Sequence, residues 1–266
     1  DEAGRLLHEC TTADDGRLLD AAAYDRCRAQ LAFGRGDSYE AIRRAEAALA
    51  DCEPRGLRWN VLEARRVRGM ARLLARDPSG AAADLRGVWR HVVCKRVDEP
   101  GMFPVQADLV EALVELGELP EARQATGRLT TLTAEQAHPW GEATTLRCRS
   151  LVELAEDSAD GVSAPAEEAA ERYEALGLRF DAGRTLLAVG RWQRRLRKRA
   201  AARRSLEAAS ELFEEARSAG WVAVTRAELE RLSGRRPGRP GELTPSERRA
   251  VALAADGLSN KEIAEQ

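Results

Sequence analysis

Eight cations crowd one stretch of this sequence: Arg191, Arg194, Arg195, Arg197, Lys198, Arg199, Arg203 and Arg204, with no acid between Asp181 and Glu207. Guanidiniums at that density are the chemistry of a phosphate-binding surface. The preceding segment has the opposite sign, with Glu153, Glu156, Asp157, Asp160, Glu167, Glu168, Glu171 and Glu174 set against Arg172 alone. Pairing between the two segments is the stronger expectation, and it would make a charged seam instead of a site. Trp192 is the one aromatic among the cations, too few for a platform that stacks single-stranded bases.

Metal and nucleophile chemistry find little support. His8 and Cys10 have a ligand-like spacing, but no second pair completes a four-ligand set. The other histidines, His91 and His138, stand alone. Cys10, Cys27, Cys52, Cys94 and Cys148 occur singly with no CxxC, the usage of reduced thiols in a cytoplasm. No catalytic constellation is present, so no enzyme activity, metal or cofactor is expected from these residues. Pro100 to Ala107 is as long as any uncharged run, about eight residues against the roughly 20 that span a bilayer, so no membrane segment is expected.

The best-formed local pattern is near the end. Thr244 is a good helix N-cap, Pro245 follows at the first helical position and Glu247 stands three after the cap, a capping box. Val251 and Ala254 would share one face, and Gly257 would stop the helix. Ser259 then caps again, with Glu262 three residues on, and Ile263 and Ala264 open a second apolar face. Upstream, Ser233 to Gly241 carries three glycines and two prolines in nine residues and reads as a linker.

Residues 1–232 must then carry the bulk of the fold. With 266 residues, 44% hydrophobic, 32% charged, 5% aromatic and a net charge of −2, the chain has the balance of a globular protein whose core is Leu, Ala and Val. Helical periodicity is nearly continuous. Val105, Leu109, Ala112, Leu113 and Leu116 share one helix face. So do Ala122, Ala125, Leu129 and Leu132, then Ala182, Leu186, Val189 and Leu196 with Gln193 as the polar exception, then Leu206, Ala209, Leu212, Phe213 and Ala216. Breakers at Arg35-Gly36-Asp37, Arg76-Asp77-Pro78, Gly117-Glu118, Asp157-Ser158 and Arg197-Lys198 fall about 40 residues apart, the mark of stacked two-helix units. Five pairs are expected, at 18–52, 59–95, 103–135, 140–176 and 179–218, with a last helix over 221–232 closing the stack. Most of Trp59, Trp89, Trp140 and Trp221 are expected to fill its core; the alternative for one or two of them is to line a concave groove and hold a ligand.

Two resemblances add to this reading. Gly36 to Ile42, with Ala48-Leu49 downstream, resembles a tetratricopeptide repeat, although the period here is 40 and not 34. Leu243-Thr244-Pro245-Ser246-Glu247-Arg248, followed by Ala255-Asp256-Gly257-Leu258-Ser259-Asn260-Lys261-Glu262-Ile263-Ala264, resembles the start of a LuxR-type helix-turn-helix over Leu243 to Gln266. The repeat region, with Tyr173-Glu174-Ala175-Leu176-Gly177 and the Arg-rich pair after it, is similar to the C-terminal part of the large ATP-binding LuxR-type regulators. Those combine a P-loop ATPase module, a helical-repeat sensor arm and a terminal DNA-binding domain. The expected fold is therefore all-α: a tetratricopeptide-like helical-repeat solenoid over 1–232, a linker over 233–242, and the N-terminal part of a helix-turn-helix over 243–266.

The resemblance implies a cytoplasmic transcription regulator. DNA would be its partner through the completed C-terminal domain, on a two-fold site as a homodimer, and a protein or small-molecule inducer would act on the repeat arm. It further implies that Ser259, Asn260 and Lys261 contact phosphates, with Thr244, Glu247, Gly257 and Glu262 as helix caps of that domain. Two departures stand out. No G-x-x-x-x-G-K-[ST] occurs, so ATP is expected only in a module outside these residues. The chain stops at Gln266, before the helix that would read bases, and so reads as part of a longer regulator. The other reading is a helical-repeat adaptor that binds protein and no DNA.

Overall fold

The computed structural model describes residues 2–12, 21–156 and 164–233. Twelve α-helices make up this part: α1 (Glu2–Thr12), α2 (Ala21–Arg35), α3 (Ser38–Cys52), α4 (Arg58–Leu74), α5 (Pro78–Cys94), α6 (Gln106–Leu116), α7 (Leu119–Gln136), α8 (Pro139–Ala155), α9 (Ala164–Ala175), α10 (Arg179–Arg195), α11 (Arg199–Glu215) and α12 (Ala219–Ser233). There are no strands among the described residues. The helices α2 to α11 are the five expected pairs, and α12 is the expected last helix. The helix α1 lies outside the expected pairs and packs on α2. The linker, the capped segment 243–266 and the Asp157-Ser158 breaker lie outside the described residues.

Local chemistry fixes where each helix starts. Asp37 and Asp77 accept from the backbone N–H of Glu40 and Gly80 at 2.9 Å, and His138 Nδ1 accepts from that of Gly141 at 3.1 Å. Each satisfies one of the four N–H groups that a helix start leaves free. Pro78, Pro120 and Pro139 stand in first turns, where a missing N–H costs least.

The helix ends follow one rule. A residue with positive φ stands at Gly36, Gly56, Arg76, Arg96, Gly117, Ala137, Gly177, Arg197 and Arg217. At each, the next backbone N–H bonds the carbonyl five residues back, from Asp37 to Ala32 at 2.9 Å through to Ser218 to Phe213 at 2.9 Å. This left-handed stop returns an otherwise orphaned carbonyl to a partner. Five of the nine positions are not glycine, a strain of roughly 1–2 kcal/mol each that the bond and the packing beyond it must offset. The stops recur about every 20 residues, half the period of the pairs.

Packing separates the helices into two sets. The even-numbered helices touch in succession from α2 to α12, and each odd-numbered helix from α3 to α11 wedges between two of them. Alanines at the crossings let backbones approach: Ala41, Ala64, Ala112, Ala122, Ala169 and Ala202 are wholly buried. Leu85 of α5 and Leu206 of α11 seat directly against Gly69 of α4 and Gly190 of α10, where a Cβ would meet them at 2.6 and 2.8 Å. Two expected face residues turn outward, Leu116 and Ala216, because each sits where its helix is already ending.

The succession closes, since α12 touches α2. Trp221 Nε1 donates to the Phe33 carbonyl and Ser218 Oγ to the Gly34 carbonyl, both at 2.7 Å. Phe33, Phe180, Phe213 and Trp221 form a ring cluster with neighbouring centroids 5.2 to 6.0 Å apart. The backbones meet at two glycines: a Cβ on Gly220 would lie 2.3 Å from the Arg35 carbonyl oxygen, and one on Gly36 would lie 2.5 Å from the Gly220 carbonyl carbon. Of the four tryptophans assigned to the core, Trp89 and Trp221 are buried and Trp140 is partly so, while Trp59 is 51% exposed against Phe103.

Replacing Gly220 by alanine therefore forces backbone apart at the closure, and replacing Gly34 by alanine meets no atom within 4 Å. In urea unfolding followed by circular dichroism, Gly220→Ala should lower the midpoint. Gly34→Ala should hold or raise it, by roughly 0.5–1 kcal/mol from helix propensity. Equal effects would show that the closure contributes nothing to stability.

Candidate functional site

The inward faces of α6, α8, α10 and α12 carry charges. On α6, Asp108, Glu111 and Glu115 fall three and four residues apart, on one face. Asp108, 3% exposed, pairs with Arg184 of α10 and lies 4.0 Å from Arg147 of α8. Arg147, 1% exposed, holds Glu111 at 2.7 Å. Arg195 reaches Glu115 at 2.5 Å, with Arg76 at 3.7 Å from the same side chain. Glu228 of α12, 1% exposed, takes Arg191 and Arg194 at 3.1 Å and Arg231 at 2.8 Å. The Arg184 guanidinium also lies over the Phe33 and Trp221 rings at 5.1 and 5.8 Å, which ties the charges to the closure.

These charges hold one another in place. Burial disfavours the Asp108 carboxylate, but Arg184 and Arg147 outweigh it and keep the carboxyl below its usual range. Glu228 is held low in the same way, against burial, by Arg191, Arg231 and Arg194. Burial also works against the Arg147 charge, yet Glu111 and Asp108 raise its pKa overall. Asp181 goes the other way, because burial there exceeds the help from Arg184 and Arg147. Burial pushes the Cys148 thiol up to about 12, so it is no nucleophile. The network is a paired interior: Asp108 and Glu228 are buried, Glu111 is partly so, and each is held by at least one arginine.

The Arg-rich stretch separates accordingly. Arg191, Arg194 and Arg195 turn inward to Glu228 and Glu115, and Arg203 pairs with Glu207 along α11 at 3.5 Å. The pairing expected with the acids of α8 and α9 is therefore replaced by pairing with α12 and α6. The reason is register: Arg191 and Arg195, four apart, lie on the inner face of α10. The α9 acids stand on an outer helix, where Glu168 meets Arg172 at 2.8 Å and Arg172 also reaches Glu142. His8 and Cys10 have no described side chains, and no group of three or more potential metal ligands forms among the described residues. Ser259, Asn260, Lys261, Thr244, Glu247, Gly257 and Glu262 all lie outside the described residues.

What remains open lies along the outer helices. A groove of about 700 Å³, in the range of small-molecule sites, runs between the α3–α4 turn and α5, floored by α4. Glu53, Arg58, Arg65, Arg90, His91 and Lys95 supply its polar lining, and Val61 and Leu62 are on its floor. A second groove, of about 480 Å³, lies between α5 and α7 and shares Arg90 and Cys94 with the first. A third, of about 690 Å³, lies between α11 and α12. The sequence did not point to the first groove, because its cations come from three separate elements and no short window contains them.

Protein-family models and curated proteins offer no match to this chain.

The buried network makes a pH prediction. Asp108 and Glu228 titrate below their ordinary 3.8 and 4.5 when folded, so their contribution is complete above those values and is lost as pH falls through the lower, folded ones. Asp181, shifted upward, opposes that loss. Urea midpoints should therefore decline from pH 5 towards pH 3. Asp108→Asn should flatten the decline while costing about 3–5 kcal/mol at pH 7, because it strands Arg184. An unchanged acid limb in Asp108→Asn would contradict this assignment.

Proposed function

We propose that the chain is part of a DNA-binding transcription regulator in which the helical repeat of residues 1–232 receives a ligand or partner protein and controls a LuxR-type helix-turn-helix that begins at Leu243. One observation carries the proposal: two capped helix starts, Thr244-Pro245-Ser246-Glu247 and Ser259-Asn260-Lys261-Glu262, separated by Gly257 and set behind a Gly/Pro linker. A repeat protein that only scaffolds others has no use for that segment.

The described arm supports the sensing half of the proposal. Its buried acids are held by arginines, and its grooves lie at the surface beside outer helices, where a bound molecule can bias the packing of one helix pair on the next. For the DNA half, Ser259, Asn260 and Lys261 would present hydroxyl, amide, ammonium and helix-terminal N–H groups to a phosphate. Such contacts position a domain on the duplex and read no sequence.

Duplex DNA retention by the 266-residue chain, measured over a salt series, tests this. Weak binding that is equal on all sequences is expected. Lys261→Ala should lower the salt slope by roughly one. A chain cut after Leu232 that retains DNA as well as the 266-residue chain would overturn the assignment, and no retention by either would favour the adaptor.

A further inference from the structure

The groove floored by α4 stands apart in its charge. Arg58, Arg65, Arg90 and Lys95 line it against one carboxylate, Glu53, which Arg65 already holds at 2.9 Å. Arg58, Arg90 and Lys95 make no ion pair with a carboxylate among the described residues, although Arg90 Nε donates to the Arg86 carbonyl at 3.4 Å. The other grooves are closer to balance. Between α5 and α7, Arg128 is held by Asp98 at 2.7 Å. Between α11 and α12, Arg226 is held by Glu214 at 2.9 Å, with Arg217 and Glu230 beside them. Three cations that line one groove with no carboxylate partner among the described residues are a place for an anion from outside.

We propose that this groove binds a small organic anion, its phosphate or carboxylate held by Arg58, Arg90 and Lys95 and its apolar body laid on Val61 and Leu62. Guanidiniums grip such oxyanions with two parallel hydrogen bonds, and the apolar floor rewards a ligand with carbon behind its charge. The positive field reaches the groove wall: burial, then the Arg58 and Lys95 charges, hold the His91 imidazole below its ordinary range. A polymer backbone fits less well. Asp51 and Glu53 precede Arg58 in the chain and Asp98 and Glu99 follow Lys95, so the positive stretch is short. Gly87 keeps the groove open, since a Cβ there would meet only Arg65 Nη1, at 3.6 Å. This inference rests on the sensing half of the proposed function and names the chemistry that half would respond to.

Isothermal titration of the 266-residue chain with phenyl phosphate and with benzoate, using phenol as the uncharged control, tests the proposal. At least one of the two anions should bind saturably and more weakly as salt rises, while phenol should not bind. The double variant Arg58→Ala/Arg90→Ala should weaken binding about tenfold or more. Gly87→Leu should block it by filling the groove, and Gly87→Ala should not. Arg123→Ala, which removes an exposed arginine paired with Glu156 elsewhere, should change nothing. No saturable binding of either anion at millimolar concentration, or equal binding in the double variant, would overturn the proposal. A chain that binds an anion but no DNA overturns only the DNA half of the regulator reading. A chain that holds DNA but neither anion overturns only the groove.

Discussion

Trp221 and Phe33 are 188 residues apart in sequence and share a hydrogen bond. That contact, with the Gly36–Gly220 crossing beside it, brings α12, the last inner helix, against α2, the first of them. A stack of helix pairs can otherwise remain open, with a concave face in water. Here the concave side is enclosed, and every residue on it must pack or pair. Arg184 shows the coupling: it stacks on the two rings of the closure and holds Asp108 on α6. The closure contact and the interior charge network are one arrangement, because each orders a side chain the other needs.

The enclosure explains why so polar a sequence has so few open sites. Desolvating a charge costs several kcal/mol, so buried ions persist only when paired. Asp108, Glu111 and Glu228 each have at least one guanidinium. Arginine suits this task, since its planar fork serves two acceptors and its weak hydration eases burial. The outer helices follow a different rule. Apart from Asp84 of α5, buried against Arg68 and Arg72 of α4, their ion pairs lie mostly in water, run along a helix or to a neighbour, and contribute little stability. In the groove on α4, Arg58, Arg90 and Lys95 stand together without a carboxylate partner among the described residues.

Regularity itself comes from the turns. Among the described residues, a left-handed residue about every 20 positions, each followed by the same long-range backbone bond, ends the helices at a regular interval and sends the chain back on itself. That regular spacing keeps successive inner helices in register, so that acids on α6 meet arginines on α8 and α10. A stop displaced by one residue would rotate the following helix by about 100° and turn its charged face away from the interior.

The sequence alone determined the helical class, the five pairs, the last helix and most of the apolar faces, because 3.6-residue periodicity, capping residues and breakers act within a few residues of one another. Asp37, Asp77 and Pro78 announce helix starts for that reason. It left the stops at Arg96, Ala137 and Arg217 unmarked, since glycine is the usual sign of a left-handed residue and backbone packing holds other residues there. Tertiary structure alone decided which arginines find which acids. Arg191 and Arg194 lie 34 to 37 residues from Glu228, and Arg195 lies 80 from Glu115, so sequence proximity between the basic stretch and the α8–α9 acids suggested the wrong partners. It likewise decided where cations remain unpaired: Arg58, Arg90 and Lys95 belong to different elements, and their field exists only once α4 and α5 pack side by side. Periodicity is a local property that a chain carries in its order of residues, whereas charge balance is a property of neighbours in space.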